Sequence, residues 1–242
     1  VGVDALLDFD QLQFVFGYNH FDYRSIGSEF SFLDHREEQF SASASARVSD
    51  AVAVGVDGSY GIFDYLKDFN NDGHEWSAGP FLEMALSPYT KVRITGGFQG
   101  MNFDSSGMSG DRSDYHSWYG NITATQRLNQ YWSHSLAVGH EAQLGLTTNF
   151  VNYTYAHYAA EWQMNLHMHV GFQAFIEEAD ESGGSVVGAE DSFRWGGGVN
   201  AGWVFNRHLT LTVAYNYVNK NSNLPLRSYY QDSTLLTAAY RF

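Results

Sequence analysis

The sequence predicts an all-β chain, a closed antiparallel transmembrane β-barrel of about twelve strands with short periplasmic turns and longer extracellular loops. Three observations predict it. Apolar and polar residues alternate with period two through most of the 242 residues. The connections between alternating segments switch regularly between short and long. Aromatic residues make up 17% of the chain and Gly is abundant at 24, yet Pro occurs only 3 times, which suits a sheet without free edges between two aromatic interface belts.

Strands are expected near 11–23, 38–49, 52–65, 76–87, 90–103, 115–128, 131–145, 151–164, 166–178, 192–205, 208–220 and 229–242. The clearest alternation sets Leu209, Leu211, Val213, Tyr215 and Tyr217 against Thr210, Thr212, Ala214 and Asn216. Its partner sets Leu236, Ala238, Tyr240 and Phe242 against Thr237, Ala239 and Arg241. Short connections fall at Ser49 and Asp50, at Ser87 to Tyr89, at Asn129 and Gln130, at Asn165, and at Asn206 to His208. Longer polar ones run from Ile26 to Glu37, Leu66 to Glu75, Asp104 to Asp114, Ala179 to Asp191 and Asn221 to Arg227, with a shorter exception at Leu146 to Phe150. A soluble sandwich has no reason to sort its loops by parity, whereas membrane barrels do so. The strand count comes out even, with both termini on the short-turn side. No linker interrupts the pattern, so residues 1–242 read as one domain.

Composition narrows the function classes. The formal charge of −14 repels phosphates and argues against nucleic-acid binding. Zero cysteines exclude a disulfide framework and a thiolate metal site. No apolar run approaches the roughly 18 residues of a membrane helix, a test that barrel strands do not face. An exported precursor is expected to have carried a leader ahead of Val1.

In such a barrel the apolar set faces lipid and the small or polar set faces the lumen. Outward candidates are Phe14, Phe16, Tyr18, Val54, Ile94, Trp118, Leu136, Val138, Trp162, Val199, Trp203, Leu211 and Tyr240. The lumen-lining set is Arg47, Asp57, Glu83, Arg93, Arg127, Glu141, Glu161, His167, His169, Arg194 and Arg241. Charges inside alternating strands rule out a dry core, because burying unpaired charge costs several kcal/mol each. Arg47, Glu83, Arg93, Arg127, Glu141, Glu161 and Arg241 are expected toward the periplasmic half.

The C-terminal quarter, with the alternating strand from Leu209 to Tyr217, Ser222 and Asn223 in a polar loop, and a last strand from Tyr230 to Arg241 and Phe242, resembles the outer-membrane β-barrel porin families. That resemblance implies a bacterial outer-membrane location. It also implies that the outer-membrane assembly machinery reads the C-terminal strand, with Tyr240 two residues before the terminal Phe242. Thr237 stands where that signal often has a small residue.

A few residue patterns point to more specific chemistry. Asp68, Asn70 and Asp72 in D-x-N-x-D-G place oxygen ligands at alternate positions around a Gly turn, which suits calcium. Gly79 occupies the twelfth position, where a full calcium loop carries Glu, and an ordinary acidic hairpin loop is the simpler account. His167 and His169 could ligate a metal from one strand face or simply line the lumen. Adjacent His134 and Ser135 face opposite sides of a strand, Asn19 and His20 lack a Ser two residues on, and nothing gathers Asp22, Asp64, His74 and Asp114, so the expectation is a non-enzyme. No cofactor is implied beyond possible calcium. What remains is a porin-like passive channel for ions or small hydrophilic solutes. The alternative is a structural or partner-binding component of a larger outer-membrane assembly, with a plugged lumen and acidic loops such as 177–181 offered to an envelope protein.

Overall fold

A computed structural model describes residues 1–241 of the chain; the terminal Phe242, on which the assembly-signal reading rests, lies outside them. Thirteen strands follow one another as β1 (Gly2–Phe9), β2 (Leu12–Tyr23), β3 (His35–Ser49), β4 (Val52–Tyr65), β5 (Gly73–Ser87), β6 (Thr90–Phe103), β7 (Tyr115–Arg127), β8 (Trp132–Leu144), β9 (Phe150–Gln163), β10 (Met168–Glu181), β11 (Glu190–Val204), β12 (Leu209–Ser222) and β13 (Tyr229–Tyr240). Each pairs antiparallel with its sequence neighbour, so the sheet is an uninterrupted meander. A single 3-10 turn, Ser28–Leu33, sits in the first long loop.

The extra strand is β1. Its alternation is broken by the adjacent pair Leu6 and Leu7, and its hairpin turns at Asp10 and Gln11 rather than at a glycine pair. Asp10 takes the left-handed conformation there, with φ 67°, and its amide donates to the Asp8 carboxylate at 3.1 Å. An odd count also moves the N-terminus: Gly2 pairs with Asn19 beside the first long loop, whereas β13 ends beside the short turns. The two termini therefore stand at opposite rims, not both on the short-turn side.

Pairing register shows how the strands are inclined. One row of directly opposed residues runs Phe9, Leu12, Ala46, Val54, Leu82, Ile94, Ile122, Val138, Ala156, Ile176, Trp195, Asn219 and Tyr230. It begins at the short-turn end of β1 and finishes near the long-loop end of β13. The sheet is thus sheared by nearly a strand length across its width, the stagger that tilted barrel strands require.

That row is apolar from Phe9 to Trp195, and most of it is exposed: Ile94 is 36% accessible, Val138 42% and Ile176 53%. Elsewhere on the same face Phe98 reaches 67% and Trp118 55%. A contiguous apolar surface of this extent marks a membrane or partner contact. Phe63, Met101, Tyr115, Val151 and Ala179, by contrast, are buried on the opposite, polar face, beneath the long loops. The fold is therefore turned inside out relative to a water-soluble sandwich.

The outer aromatic side chains fall into two groups. Trp132, Trp162, Trp203 and Tyr240 lie near the short turns, and Tyr18, Tyr60, Trp76, Trp118 and Tyr230 lie toward the long loops. Amphipathic rings collect at such levels on either side of a hydrocarbon layer. Among the described residues β1 and β13 have no strand neighbour beyond β2 and β12, and every residue of both is exposed.

Candidate functional site

Two arginine clusters organise the polar face. On β5, Phe81 and Glu83 point to this face, and Glu83 is directly paired with Arg93 of β6. Arg93 contacts Glu83, reaches Asp57 of β4 at 3.2 Å and lies 4.3 Å above the Phe81 ring. The Tyr119 hydroxyl donates to the other Asp57 oxygen at 3.3 Å. On β10 the same arrangement recurs. Phe175 stands two residues before Glu177, and Glu177 is paired with Arg194 of β11. Arg194 donates from Nε to Glu177 at 2.6 Å and sits 5.5 Å from the Phe175 ring, while His157 Nε2 lies 2.8 Å from Glu177. Carboxylate contacts through two guanidinium nitrogens and a ring below fix each arginine more firmly than an exposed lysine could be fixed.

Both rings need glycine beside them. A Cβ on Gly55 would overlap the Phe81 ring, and one on Gly196 would overlap Phe175. The phenyl groups therefore lie across the neighbouring strand, each supporting its arginine. Between the clusters the wall is polar and hydrogen-bonded, with Asn121 donating to Tyr155 at 2.8 Å and Thr123 donating to Asn121 at 2.8 Å. Past Arg194 a third cluster surrounds the buried Glu190, with Lys220 at 2.8 Å and Arg227 at 2.7 Å.

Arg47, Asp57, Glu83, Arg93, Arg127, Glu141, Glu161, His169 and Arg194 all occupy polar-face positions in the register. Asp57, Glu83 and Arg93 come together; Glu161 and His169 share a depression with Ser133, Ser135 and Asn200 near the short turns. Three expectations need correction. Glu141 lies in the long-loop half, because β8 runs away from the short turn and reaches Glu141 only near its end. His167 is in the turn before β10, its amide held by the Asn165 side chain at 2.8 Å, so it shares no strand face with His169. Arg241 stands just past β13, its amide bonded to the His208 carbonyl at 2.8 Å. Glu177, Tyr119, Lys220 and Glu190 were missed. The repeated Phe-x-Glu on alternating strands was the available signal for Glu177.

The long loops interlock over the polar face. Asn71 donates to the Asp111 carbonyl at 2.7 Å and to the Asn149 side chain at 2.8 Å, while its own oxygen accepts the Gly107 amide at 2.8 Å. The Asp111 carboxylate accepts the Asn149 amide at 2.9 Å and the Ser182 hydroxyl at 2.7 Å. Four loops thus meet at one buried polar hub. Burial would raise the Asp111 pKa, but the donors from Asn149, Ser182 and Ser113 outweigh it and hold the carboxyl below its usual range. Nearby, pairing of β7 with β8 stops at Gly120 and His140. The freed backbone of Ala142 is taken up by the Gln99 side chain of β6, at 3.0 and 3.2 Å. The end of β8 consequently leans over the polar face.

Asp68, Asn70 and Asp72 lie in one of these loops, and their groups are turned to different tasks. Asn70 donates to the Leu146 carbonyl at 3.1 Å, Asp72 accepts the Tyr65 amide at 2.6 Å, and the Asp68 carbonyl accepts the Met108 amide at 2.7 Å. Among the described residues no group of three or more His, Asp or Glu side chains converges on one point. The rim residues are likewise dispersed: Asp22 pairs with Arg24 at 2.8 Å, and Asp114 accepts the Phe103 amide at 2.9 Å.

No known family and no curated protein matches the sequence. Solved structures do resemble the fold. The copper transporter OprC superposes on the whole chain with a TM-score of 0.61 at 10% identity, and the chain spans 50% of that protein's length. The likeness is one of fold, an all-β antiparallel meander shared with part of an outer-membrane barrel. Looser likenesses are to the CymD monoaromatic hydrocarbon channel (TM-score 0.36, 10% identity, 100% of this chain and 82% of that one) and to the ferric-catecholate import receptor Fiu from E. coli K12 (TM-score 0.40, 9% identity, 99% and 63%).

Proposed function

We propose that this protein is a porin-like passive channel in the bacterial outer membrane, carrying ions or small hydrophilic solutes along its polar face. One observation carries the reading. Step one residue from the apolar row and the opposed residues become Asp8, Gln13, Ser45, Gly55, Phe81, Thr95, Asn121, Gly139, Tyr155, Glu177, Arg194, Lys220 and Tyr229. A wall that is greasy on one side and wettable on the other separates hydrocarbon from an aqueous path. Short turns then face the periplasm, and the assembly machinery receives the chain through its C-terminal strand. Arg93 is met by two carboxylates, and unpaired acids such as Asp8 and Glu161 add to them, so the path favours cations.

Purified protein in planar bilayers tests this. Stepwise conductance with a reversal potential favouring cations is expected in a salt gradient. Silence at every voltage, from protein shown to be inserted, rejects it. The interlocked loops around Asp111 favour a second reading, a scaffold closed at the long-loop side that binds an envelope partner. That reading predicts silence together with a stoichiometric partner retained in mild detergent.

A further inference from the structure

Resting on the membrane reading above, we infer that the long-loop end of the apolar face binds the phosphate of a lipid headgroup between the indole of Trp76 and the imidazole of His116. One row of directly opposed residues at the aromatic level near the long loops runs Tyr18, Phe40, Tyr60, Trp76, Gly100 and His116. Every member is a ring except Gly100. A Cβ there would lie 2.6 Å from Trp76 Nε1 and 2.6 Å from His116 Nδ1. Two ring nitrogens, one from β5 and one from β7, therefore flank one point above the β6 backbone. Both side chains are exposed, and among the described residues neither nitrogen has a hydrogen-bond partner.

The surrounding face selects the ligand's charge. Outward positions on β5 to β9 carry four histidines, His74, His116, His134 and His140, and no Asp, Glu, Lys or Arg, in a chain with 27 acidic residues. Imidazole is thus the one group on this part of the face that takes up positive charge near neutral pH. The other histidines are engaged. His74 Nε2 lies 3.3 Å from Asn102 Nδ2, His134 Nε2 lies 3.0 Å from the Gln126 oxygen, and His140 stacks on Trp118 at 4.3 Å with Thr154 at 2.9 Å from its Nδ1. The acids of the adjoining rim have partners of their own. Asp64 stands opposite Arg36, Asp72 accepts the Tyr65 amide, Asp104 accepts from Ser106, and Asp114 accepts the Phe103 amide. An indole N–H can only donate, so whatever joins Trp76 to His116 is an acceptor. At the level of an aromatic belt the strongest acceptors are the phosphate oxygens of lipid headgroups, because hydrogen bonds to charged oxygen are the stronger ones. Below the site Ala78, Phe98 and Ile94 continue the apolar surface on which the acyl chains would lie.

The test is native mass spectrometry of delipidated protein in detergent, given either dioleoylphosphatidic acid or dioleoylglycerol, which has the same chains without the phosphate. The phosphate-bearing lipid should be retained several-fold more. Trp76→Phe, which keeps a ring and loses the N–H, and His116→Leu should each weaken that retention by about three- to tenfold, the worth of one hydrogen bond. His116→Gln, which keeps a donor, should recover part of the loss, and Trp162→Phe, near the short turns, should change nothing. Should His116→Leu fail to fold, Trp76→Phe carries the comparison alone. Equal retention of the two lipids, or phosphatidic acid retained undiminished by Trp76→Phe, overturns the inference. Displacement of the lipid by an equal concentration of inorganic phosphate also overturns it, because free phosphate would then be the ligand. Protein that remains a monomer in water without detergent defeats the membrane reading and this inference with it. A membrane-embedded protein indifferent to the phosphate defeats this inference alone.

Discussion

Ile94 and Thr95 are neighbours in sequence and strangers in environment. Ile94 belongs to an unbroken apolar row that crosses eleven strands, while Thr95 belongs to the row of Asn121, Tyr155, Glu177 and Arg194. In a soluble sheet the apolar row would be the buried one. Here most of it is exposed, and burial is found on the polar side beneath the loops. The difference teaches that stability in this protein is divided between two solvents. The apolar face depends on lipid, and the polar face depends on its own hydrogen bonds and ion pairs.

The sharpest way to break this comparison is to place one charge on each face. Ile94→Arg puts a guanidinium into the apolar row and should destabilise the protein in bilayers by about 2–4 kcal/mol. Thr95→Arg, one residue on, adds the same charge to a wall that already carries several and should cost under about 1 kcal/mol. Denaturant titration in lipid vesicles measures both. Equal losses would mean that the two faces share one environment.

The loop hub offers the next largest effect. Asp111→Ala removes a buried acceptor and strands the Asn149 and Ser113 amides, so roughly 2–3 kcal/mol of local stability should go. Limited proteolysis of the long loops should report it, with strand assembly unchanged. Acid should mimic the substitution. The folded-state pKa of Asp111 is lowered, so its contribution is complete above the ordinary value of 3.8 and disappears as pH falls below that through the folded value. Protease sensitivity that never rises however far the pH is taken below the ordinary value would contradict this.

Most of the wall was legible because period-two alternation is a local property of each strand. Every expected segment from 11–23 onward corresponds to one strand, with ends displaced by at most a few residues. β1 was not legible, since Leu6 and Leu7 break its period and its turn lacks glycine. The site was legible only as far as face. Arg93, Asp57 and Glu83 could be assigned to the polar side, but their meeting depends on register across β4, β5 and β6, which no single strand encodes. The hub is further still from the sequence. Asn71, Asp111, Asn149 and Ser182 come from four loops, and each reads alone as an ordinary polar loop residue. The D-x-N-x-D-G pattern was legible as a motif, but the partners of Asn70 and Asp72, which hydrogen-bond within and between those loops, were not.

A smaller effect tests what the polar face does. Arg93→Ala leaves Asp57 and Glu83 without their cation, so the permeability ratio for cations over anions should rise by about two- to fivefold at low salt. The exchange Asp57→Asn with Glu83→Gln should move the ratio the other way, because Arg93 is then the unpaired charge. Reversal potentials before and after each change provide the measurement. No movement in either variant would place these groups off the conducting path.

The smallest expected change concerns Phe81, and it asks whether the arginine's position, rather than its charge alone, sets the path. Phe81→Leu takes away the ring over which Arg93 sits at 4.3 Å. The cation–π contact is worth about 0.5–1 kcal/mol at such a site, and the salt bridges to Asp57 and Glu83 remain available. Conductance should become noisier as the guanidinium samples more positions, while the mean selectivity stays near the parent's. Gly55→Ala cannot serve in its place, because its methyl would meet the Ala44 carbonyl oxygen at 2.5 Å as well as the ring, so the backbone itself would have to shift. An unchanged current from Phe81→Leu would show that the ring under Arg93 contributes nothing to holding it.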